Sequence, residues 1–414
     1  MSNVLNKDEG TRPATQQTAP GEGGLAPTLV LALGTFAVGT DAFITAGFLP
    51  SMARSLDVSP SAAGQSVTLF AAAYAVLSPV LATLTARLPR RALLVGALTV
   101  LGLANLLCAL APNYPVLLVS RVIAAAGAAA YTPNAGAVGA ALVREELRAR
   151  ALAVVIGGLT VATALGVPLG NVAARWTSWR VAFAGVTALC VLCAVGVVLV
   201  MPRLPGAGRV PLRTRLAVLR RPGVLAVLPL TALGMAACYT AYAYSVPALG
   251  AVGVPGSAMV LMLFLYGLGA VVGNLLAGQA TDRVGAVRVL TVGYAVMALT
   301  FAVLAWMAAT STKDLTPLVG VLAFTWGASS WCQTPPQQHR LIAAAPQEAP
   351  LVVSLNSSGI YLGIGLGTVI GGLSLSSGPG LTYALGAVLA AIALAWLLVT
   401  ARAADSRTPG KEGR

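Results

Sequence analysis

Long apolar stretches alternate with short polar connections along almost the whole chain. A helix needs about 20 apolar residues to cross the hydrocarbon core of a bilayer. The pattern predicts twelve such spans, at 28–50, 62–86, 92–111, 114–142, 150–173, 181–201, 223–249, 258–280, 287–309, 316–337, 351–373 and 381–401. The chain is therefore predicted to be an all-α membrane protein with twelve transmembrane helices.

The longest connection, 202–222, divides the predicted spans into two sets of six. It contains Pro202, Pro205, Pro211 and six arginines. The sequence thus predicts a first six-helix bundle over 27–201, a cytoplasmic linker over 202–222 and a second bundle over 223–401. Two halves related by an internal repeat are typical of secondary transporters, whose binding site lies near the membrane midplane.

Composition and charge support a membrane location. The chain is 57% hydrophobic and 9% charged, with a mean hydropathy of +0.84, whereas soluble domains are about 25% charged. The net charge of +14 does not indicate nucleic-acid binding, because the basic residues lie in short clusters between the apolar stretches. Arginine far outnumbers lysine and alanine is abundant, which suggests a high-GC bacterial gene. We expect the protein in the bacterial inner membrane.

The distribution of basic residues predicts the orientation. With the amino terminus inside, the inner segments hold 21 of the 26 Lys and Arg residues and the outer segments hold four. Positive charge concentrates on the cytoplasmic side of membrane proteins, so both termini are predicted to be cytoplasmic. Residues 1–26 lack the apolar core of a signal peptide and, with 402–414, are expected to be cytoplasmic tails, the first of them disordered.

An enzymatic function is not expected. The sequence contains no phosphate-binding loop and no metal-ligand cluster, and its single histidine, His339, lies where span 10 meets the inner surface. The five cysteines all fall in apolar stretches and indicate no disulfide framework. We therefore predict neither a cofactor nor a metal site.

Asp41 is the acidic residue that lies deep in an apolar span. A charged side chain at the bilayer centre costs at least ~2.5 kcal/mol, so such residues are usually functional. We predict that Asp41 handles a proton or the substrate, and that Asp41→Asn abolishes proton-driven transport without unfolding the protein. The alternative is a structural acid satisfied by the hydroxyls of Thr40 or Thr45.

Arg121 is a second charge inside a span, in the outer part of span 4. It must face a cavity or a partner. One interpretation is that Arg121 adjusts the proton affinity of a nearby acid or contacts the substrate. The other is that it donates hydrogen bonds to backbone carbonyls of span 1.

Several motifs resemble those of the major facilitator superfamily, and within it the twelve-span bacterial drug:proton antiporters. Span 1 reads LGTFAVGTDAFITAGFLPSMARSLDVS, and the loop between spans 8 and 9 reads GQATDRVGAVR. Span 4 contains LVSRVIAAAGAAA around Arg121, and PPQQHRLIAAAP at 335–346 is similar to arabinose- and chloramphenicol-exporter-like members. The resemblance covers about 27–401. It implies two pseudo-symmetric bundles and a monomer.

The loop after span 8 carries the superfamily's gating motif at Gly278, Asp282, Arg283 and Gly285. The equivalent loop after span 2 departs from it, with Ala86 at the aspartate position and Pro89 at a glycine position. We predict that Asp282 is the remaining gate carboxylate. It should face the start of span 5, where Arg148 or Arg150 could pair with it. The alternative is ordinary turn chemistry at a positively charged inner loop.

Span 5 resembles the antiporter motif of exporters. Its residues Gly158, Gly166, Pro168 and Gly170 would permit close helix packing and a bend. This resemblance implies that transport is outward.

Substrate contacts are predicted from aromatic and amide residues along the spans. The candidates are Phe43, Phe70, Tyr74, Tyr131, Asn134, Tyr239, Tyr242, Phe264, Trp326, Trp331, Gln333, Asn356 and Tyr361. With one embedded acid, a neutral or weakly charged amphipathic substrate such as an antibiotic, sugar, nucleoside or metabolite is expected.

Proton-coupled efflux is the preferred function; the alternatives are a passive facilitator or a non-transport membrane scaffold or receptor.

Overall fold

The computed structural model describes residues 25–144, 147–206, 213, 217–310 and 315–405. In these ranges the chain is helical, with short turns and no strand. Residues 1–24 and 406–414 of the predicted tails, and 207–212 and 214–216 of the predicted linker, lie outside the described residues.

Six helices precede the linker. They are α1 (Leu25–Ser55), α2 (Pro60–Leu84), α3 (Arg90–Ala109), α4 (Tyr114–Ala141), α5 (Arg148–Trp176) and α6 (Trp179–Val200). Local sequence sets several of their ends. Ser59 and Asn113 cap α2 and α4 by accepting hydrogen bonds from the backbone amides of Ala62 and Val116, both at 3.1 Å.

In the described residues, eight α-helices follow the linker. They are α7 (Pro222–Tyr242), α8 (Ser245–Ala251), α9 (Met259–Val284), α10 (Ala286–Ala309), α11 (Thr316–Trp331), α12 (Thr334–Ala344), α13 (Ala349–Ser374) and α14 (Leu381–Asp405). Two predicted spans are thus broken helices. Span 7 breaks between α7 and α8, and span 10 breaks between α11 and α12 after Trp331.

Ten of the helices in the described ranges are long and apolar enough to cross a membrane. The all-α class and the multi-pass membrane architecture are therefore confirmed. The remaining two predicted spans correspond to α5, whose shorter apolar part is Ala151–Gly166, and to the broken pair α11 and α12. The count of twelve spans and the division at 202–222 stay predictions.

The helix contacts repeat between the two sets. In the first set α1 packs on α5 and α3 packs on α4 and α6; in the second, α7 packs on α13, and α10 packs on α11 and α14. Between the sets, α2 packs on α13 and α5 packs on α9. In a six-span repeat α2 corresponds to α9 and α5 corresponds to α13, so exchanging the two sets converts one contact into the other and the two form a pseudo-symmetric pair.

Glycines allow the closest helix approaches. A Cβ on Gly158 of α5 would overlap the carbonyl oxygen of Ala32 in α1, and one on Gly170 would lie 2.8 Å from the carbonyl oxygen of Ile44. Gly166 faces Phe43 in the same contact, and Pro168 lies inside α5. The predicted packing motif therefore lies along α1.

The two ends of the helix bundle differ. We call the end that carries Arg87, Arg90 and Arg91 the basic end, and the end at which α1 passes into α2 the opposite end. At the opposite end, the Ser61 hydroxyl donates to the carbonyl of Gly372 at 2.8 Å. The Tyr244 hydroxyl donates to the carbonyl of Thr368 at 3.1 Å. These contacts close the opposite end.

The Tyr244 ring also crosses to the first set of helices. It packs in a buried cluster with Leu49, Ala53 and Ala63. A Cβ on Gly64 of α2 would overlap this ring, so the glycine makes room for it.

Candidate functional site

Asp41 and Arg121 form a fully buried ion pair. The guanidinium Nη1 donates to the Asp41 carboxylate at 2.5 Å, and both side chains have 0% exposure. Nη2 also lies 3.4 Å from the backbone carbonyl oxygen of Asp41. The two charges therefore neutralise each other inside the bundle, as buried charges require.

The pair is enclosed by aromatic rings. The Arg121 guanidinium lies 4.5 Å from the ring centre of Phe70 and 5.6 Å from that of Phe183. Among the described residues, Asp41 Oδ2 and Arg121 Nε have no hydrogen-bond partner. Asp41 Oδ2 is thus the atom at which a proton could be taken up without first displacing a donor.

The threonine alternative is not observed. The hydroxyls of Thr40 and Thr45 are buried and make no hydrogen bond to any described group. Asp41 pairs with Arg121 instead, and Arg121 contacts both the carboxylate and the backbone carbonyl of Asp41 in α1.

A cavity of about 460 Å³ lies between the two sets of helices. Its walls come from α1, α2, α4 and α5 on one side and from α9, α11, α12 and α13 on the other. Ala140, Leu152, Gln338 and Val353 line it near the basic end, while the opposite end is closed. The cavity therefore faces the basic end.

None of the described residues that line this cavity carries a charge. Its polar groups are hydroxyls and amides. They belong to Thr132, Thr160, Thr163, Asn274, Thr334, Gln338, Ser354 and Ser357, besides Tyr74 and Tyr361. None of these Ser, Thr, Asn and Gln residues is among the substrate residues predicted from the sequence. Thr160 and Thr163, like Ser354 and Ser357, are spaced three apart and so share one helix face, a signal that could have found them.

Four of the predicted substrate residues line the cavity: Phe43, Tyr74, Trp331 and Tyr361. Tyr74 and Tyr361 stack with ring centres 3.7 Å apart. Phe43 and Trp331 meet edge to face at 6.0 Å. These aromatic pairs form the inner wall of the cavity.

The other predicted substrate residues do not line the cavity. The Tyr131 hydroxyl donates to the carbonyl of Leu31 at 3.2 Å, and Arg90 donates to Asn134 at 2.7 Å. Tyr239, Tyr242 and Trp326 are buried behind the wall. Phe264 is 41% exposed on the outer surface.

The two predicted amides of the second set bind neighbouring helices. Gln333 accepts from the hydroxyl of Tyr294 at 2.8 Å, and Asn356 accepts from that of Thr231 at 2.9 Å.

Phe70 lies between the ion pair and the cavity, since its ring centre is 6.1 Å from that of Tyr361. Phe70 therefore neighbours both the ion pair and the cavity wall.

Asp282 of the predicted gate lies in the last turn of α9. Its side chain and that of Arg283 are exposed, and Asp282 has no ion pair among the described residues. The side chains of Arg148 and Arg150 lie outside the described part of the chain. Gly285 has φ +87° at the turn between α9 and α10, and a Cβ on Gly278 would meet nothing within 4 Å.

No group of His, Cys, Asp or Glu residues in the described ranges is arranged to hold a metal ion. The described groups of the site are one acid–base pair, aromatic rings and neutral hydrogen-bonding groups.

The chain is similar to known membrane transport proteins over most of its length. The family profile of the Major Facilitator Superfamily matches residues 31–349 and, in a second match, 253–414. The Escherichia coli K12 "Inner membrane transport protein YdhP" is 31% identical over 379 residues, covering 91% of this chain and 96% of that protein. The "Chloramphenicol resistance protein" of Streptomyces lividans is 31% identical over 394 residues, covering 92% and 99%.

The fold has a solved counterpart. A bacterial homologue of the human lysosomal transporter Spinster, in an inward-facing and unoccupied conformation, superposes with a TM-score of 0.68 at 18% identity. The match covers 91% of this chain and 96% of that one.

Proposed function

The chain belongs to the major facilitator superfamily, and from this premise we propose that it is a proton-coupled exporter of small uncharged amphipathic molecules in the bacterial inner membrane. The observation that carries the substrate class is the uncharged lining of the cavity in the described residues. A charged substrate would lose its hydration there without meeting an opposite charge. The volume of about 460 Å³ suits a drug-sized molecule.

Proton coupling rests on Asp41. When its carboxylate is ionised, Arg121 holds it at 2.5 Å. Protonation removes one of the two charges and so weakens the pair. The freed guanidinium then shifts against Phe70, whose ring contacts Tyr361 on the cavity wall. Proton uptake and substrate occupancy are thereby linked without a direct contact between Asp41 and the substrate.

Outward transport is proposed because α5 resembles the antiporter motif of exporters, and the orientation of the basic end, to which the cavity opens, is consistent with it. Basic residues cluster there, and the positive-inside rule assigns that end to the cytoplasm. The cavity then faces inward, ready to take a substrate from the cytoplasm. Substrate release requires the opposite end to open and Asp282 to close the basic end against the start of α5.

A phenicol is the first substrate to test. The Streptomyces relative is named a chloramphenicol resistance protein, and chloramphenicol is an uncharged nitroaromatic amide of suitable size. A sugar or a nucleoside is also neutral, but the stacked aromatic wall of Tyr74 and Tyr361 favours an aromatic substrate.

The test is uptake of radiolabelled chloramphenicol into inside-out membrane vesicles carrying an imposed proton gradient. Accumulation that a protonophore abolishes is expected for the wild type and not for Asp41→Asn. Equilibration that survives the protonophore would replace the antiporter by a passive facilitator. No uptake of chloramphenicol, sugars or nucleosides would refute transport of this class.

A further inference from the structure

An aromatic cluster lies directly behind the cavity wall. It consists of Tyr239 and Tyr242 of α7, Tyr266 of α9, Trp326 of α11 and Tyr383 of α14, none of them more than 3% exposed. Ring centres of Tyr242 and Tyr266 are 4.6 Å apart, and those of Tyr266 and Trp326 are 5.0 Å apart. We call these five residues the tyrosine cluster.

Four polar atoms of the tyrosine cluster are buried without a partner among the described residues. They are the hydroxyls of Tyr239, Tyr242 and Tyr383 and the indole nitrogen of Trp326. Buried polar groups are nearly always hydrogen-bonded, so each exception calls for an explanation. The cluster therefore brings four unpaired polar atoms together within one group of neighbouring rings.

Tyr294 shows that the same set of helices can satisfy a buried tyrosine. Its hydroxyl donates to Gln333 at 2.8 Å and accepts from Gln337 at 3.1 Å. The ring of Tyr294 is as buried as those of the tyrosine cluster. Burial alone therefore does not account for the unpartnered hydroxyls.

Phe43 and Trp331 stand between the tyrosine cluster and the cavity. Both line the cavity. Phe43 also meets the edge of Tyr242 at 6.4 Å, and the Trp331 indole donates to the hydroxyl of Tyr266 at 3.3 Å. Trp331 is the last residue of α11, just before the break in span 10. Its ring can swing aside without bending a continuous helix.

We propose that the tyrosine cluster is a second substrate subsite, opened by displacement of Trp331 and Phe43, which binds a hydrogen-bond-accepting oxygen of an uncharged aromatic substrate. Nitro, sulfonyl and carbonyl oxygens are the groups concerned. The indole nitrogen only donates, and phenol hydroxyls donate readily, while the rings offer stacking surfaces. No described carboxylate lines the cavity, so a cation would lack a counter-charge.

This inference rests on the proposed function, and its first test is chloramphenicol binding to the purified full-length protein. Tyr239→Phe and Tyr242→Phe each remove one unpartnered hydroxyl and keep the ring. We expect an unchanged or higher melting temperature and about fivefold to tenfold weaker binding. The matched control is Tyr294→Phe, which should lower the melting temperature and leave affinity within about twofold.

The opposite pattern would overturn the subsite. If both cluster variants bind chloramphenicol within about twofold of wild type, the hydroxyls do not contact substrate. Tight, hydroxyl-dependent binding of tetraphenylphosphonium, a cation without an acceptor, would overturn the assignment of an acceptor oxygen.

A second test does not depend on the substrate. Cys238 is fully buried beside the cluster, with its Sγ 3.3 Å from the hydroxyl of Tyr266. In a variant whose other four cysteines are alanine, Trp331→Ala should speed reaction of Cys238 with methyl methanethiosulfonate by about tenfold, because thiol reactivity follows access. The control is Trp306→Ala, since Trp306 is 59% exposed on the outer surface.

The two tests separate the two claims. Failure of the wild type to bind chloramphenicol removes the phenicol substrate and leaves the subsite to the Cys238 measurement. A Cys238 reaction rate unaffected by Trp331→Ala would show that Trp331 does not cover a space that can open, and would overturn the subsite.

Discussion

Tyr74 of α2 and Tyr361 of α13 stack across the contact between the two sets of helices, with ring centres 3.7 Å apart and 26° between ring planes. Phe70, one turn before Tyr74, lies 4.5 Å from the guanidinium of Arg121. The α2–α13 contact therefore joins the buried ion pair to the cavity wall. It is also a contact between the two sets of helices, which the proposed alternation of the cavity between the two sides would have to rearrange.

Removing the stacked ring should uncouple the two sites. Tyr361→Leu loses a contact worth about 0.5–1.5 kcal/mol, and we expect proton release on chloramphenicol binding to fall. Proton release is measured with a pH indicator in weakly buffered detergent solution. Tyr361→Phe keeps the stack and should behave like the wild type; equal losses in both variants would assign the effect to the hydroxyl.

Removing the acid of the buried pair should affect both transport and stability. Asp41→Asn is expected to abolish gradient-driven export. It also leaves the Arg121 charge buried without an opposite charge, which costs about 3–5 kcal/mol, so the sequence-based expectation of unaffected folding changes. Thermal unfolding and vesicle uptake measure the two effects.

The double variant Asp41→Asn/Arg121→Gln serves as the control for that experiment. It removes both charges, and most of the lost stability should return while gradient-driven export stays absent. Export retained by Asp41→Asn alone would exclude Asp41 as the coupling acid.

Adjacent glycines of α5 should respond oppositely to alanine. At Gly158 a Cβ would overlap the carbonyl oxygen of Ala32 and the hydroxyl of Thr35, whereas at Gly157 it would meet nothing within 4 Å. Gly158→Ala should destabilise the protein by about 1–3 kcal/mol. Gly157→Ala should be neutral or stabilising by up to about 1 kcal/mol. Thermal unfolding of the two variants side by side tests this, and similar melting temperatures would contradict the α1–α5 contact.

Asp282 should matter for turnover and not for stability. It is exposed and unpaired among the described residues in this conformation, so Asp282→Asn should change the free energy of unfolding by less than about 0.5 kcal/mol. If Asp282 closes the basic end, the uptake rate should fall about tenfold.

Asp57→Asn is the matched control for the gate, because Asp57 is a loop carboxylate between α1 and α2. It should transport at the wild-type rate. If Asp282→Asn transports at the wild-type rate, the motif has no gating role and only forms the turn at Gly285.

Hydropathy predicted the spans well because a membrane helix must be apolar along its length. It could not predict the breaks after Tyr242 and Trp331, where the apolar pattern continues through the break. The turn at Gly285 was predictable, since a φ of +87° favours glycine.

The buried pair was predictable only in part. Asp41 and Arg121 each stood out as charges in apolar spans, but 80 residues separate them, and no local pattern indicates that they meet. The cavity was harder still. In the sequence, nothing distinguishes the aromatic residues that line the cavity, Tyr74 and Tyr361, from those buried behind its wall, Tyr239, Tyr242 and Trp326. Which rings face the cavity depends on how the helices α2, α7, α11 and α13 are rotated relative to each other.

The closure at the opposite end has a consequence for the energetics of the cycle. Its described contacts are a serine hydroxyl, a tyrosine hydroxyl, two backbone carbonyls and a small apolar cluster. These contacts contain no charged side chain, so membrane voltage exerts no direct force on them and salt does not screen them. Under the proposed coupling, voltage would act on the charges of the Asp41–Arg121 pair and its proton, while breaking the contacts at the opposite end would add a cost that does not depend on voltage.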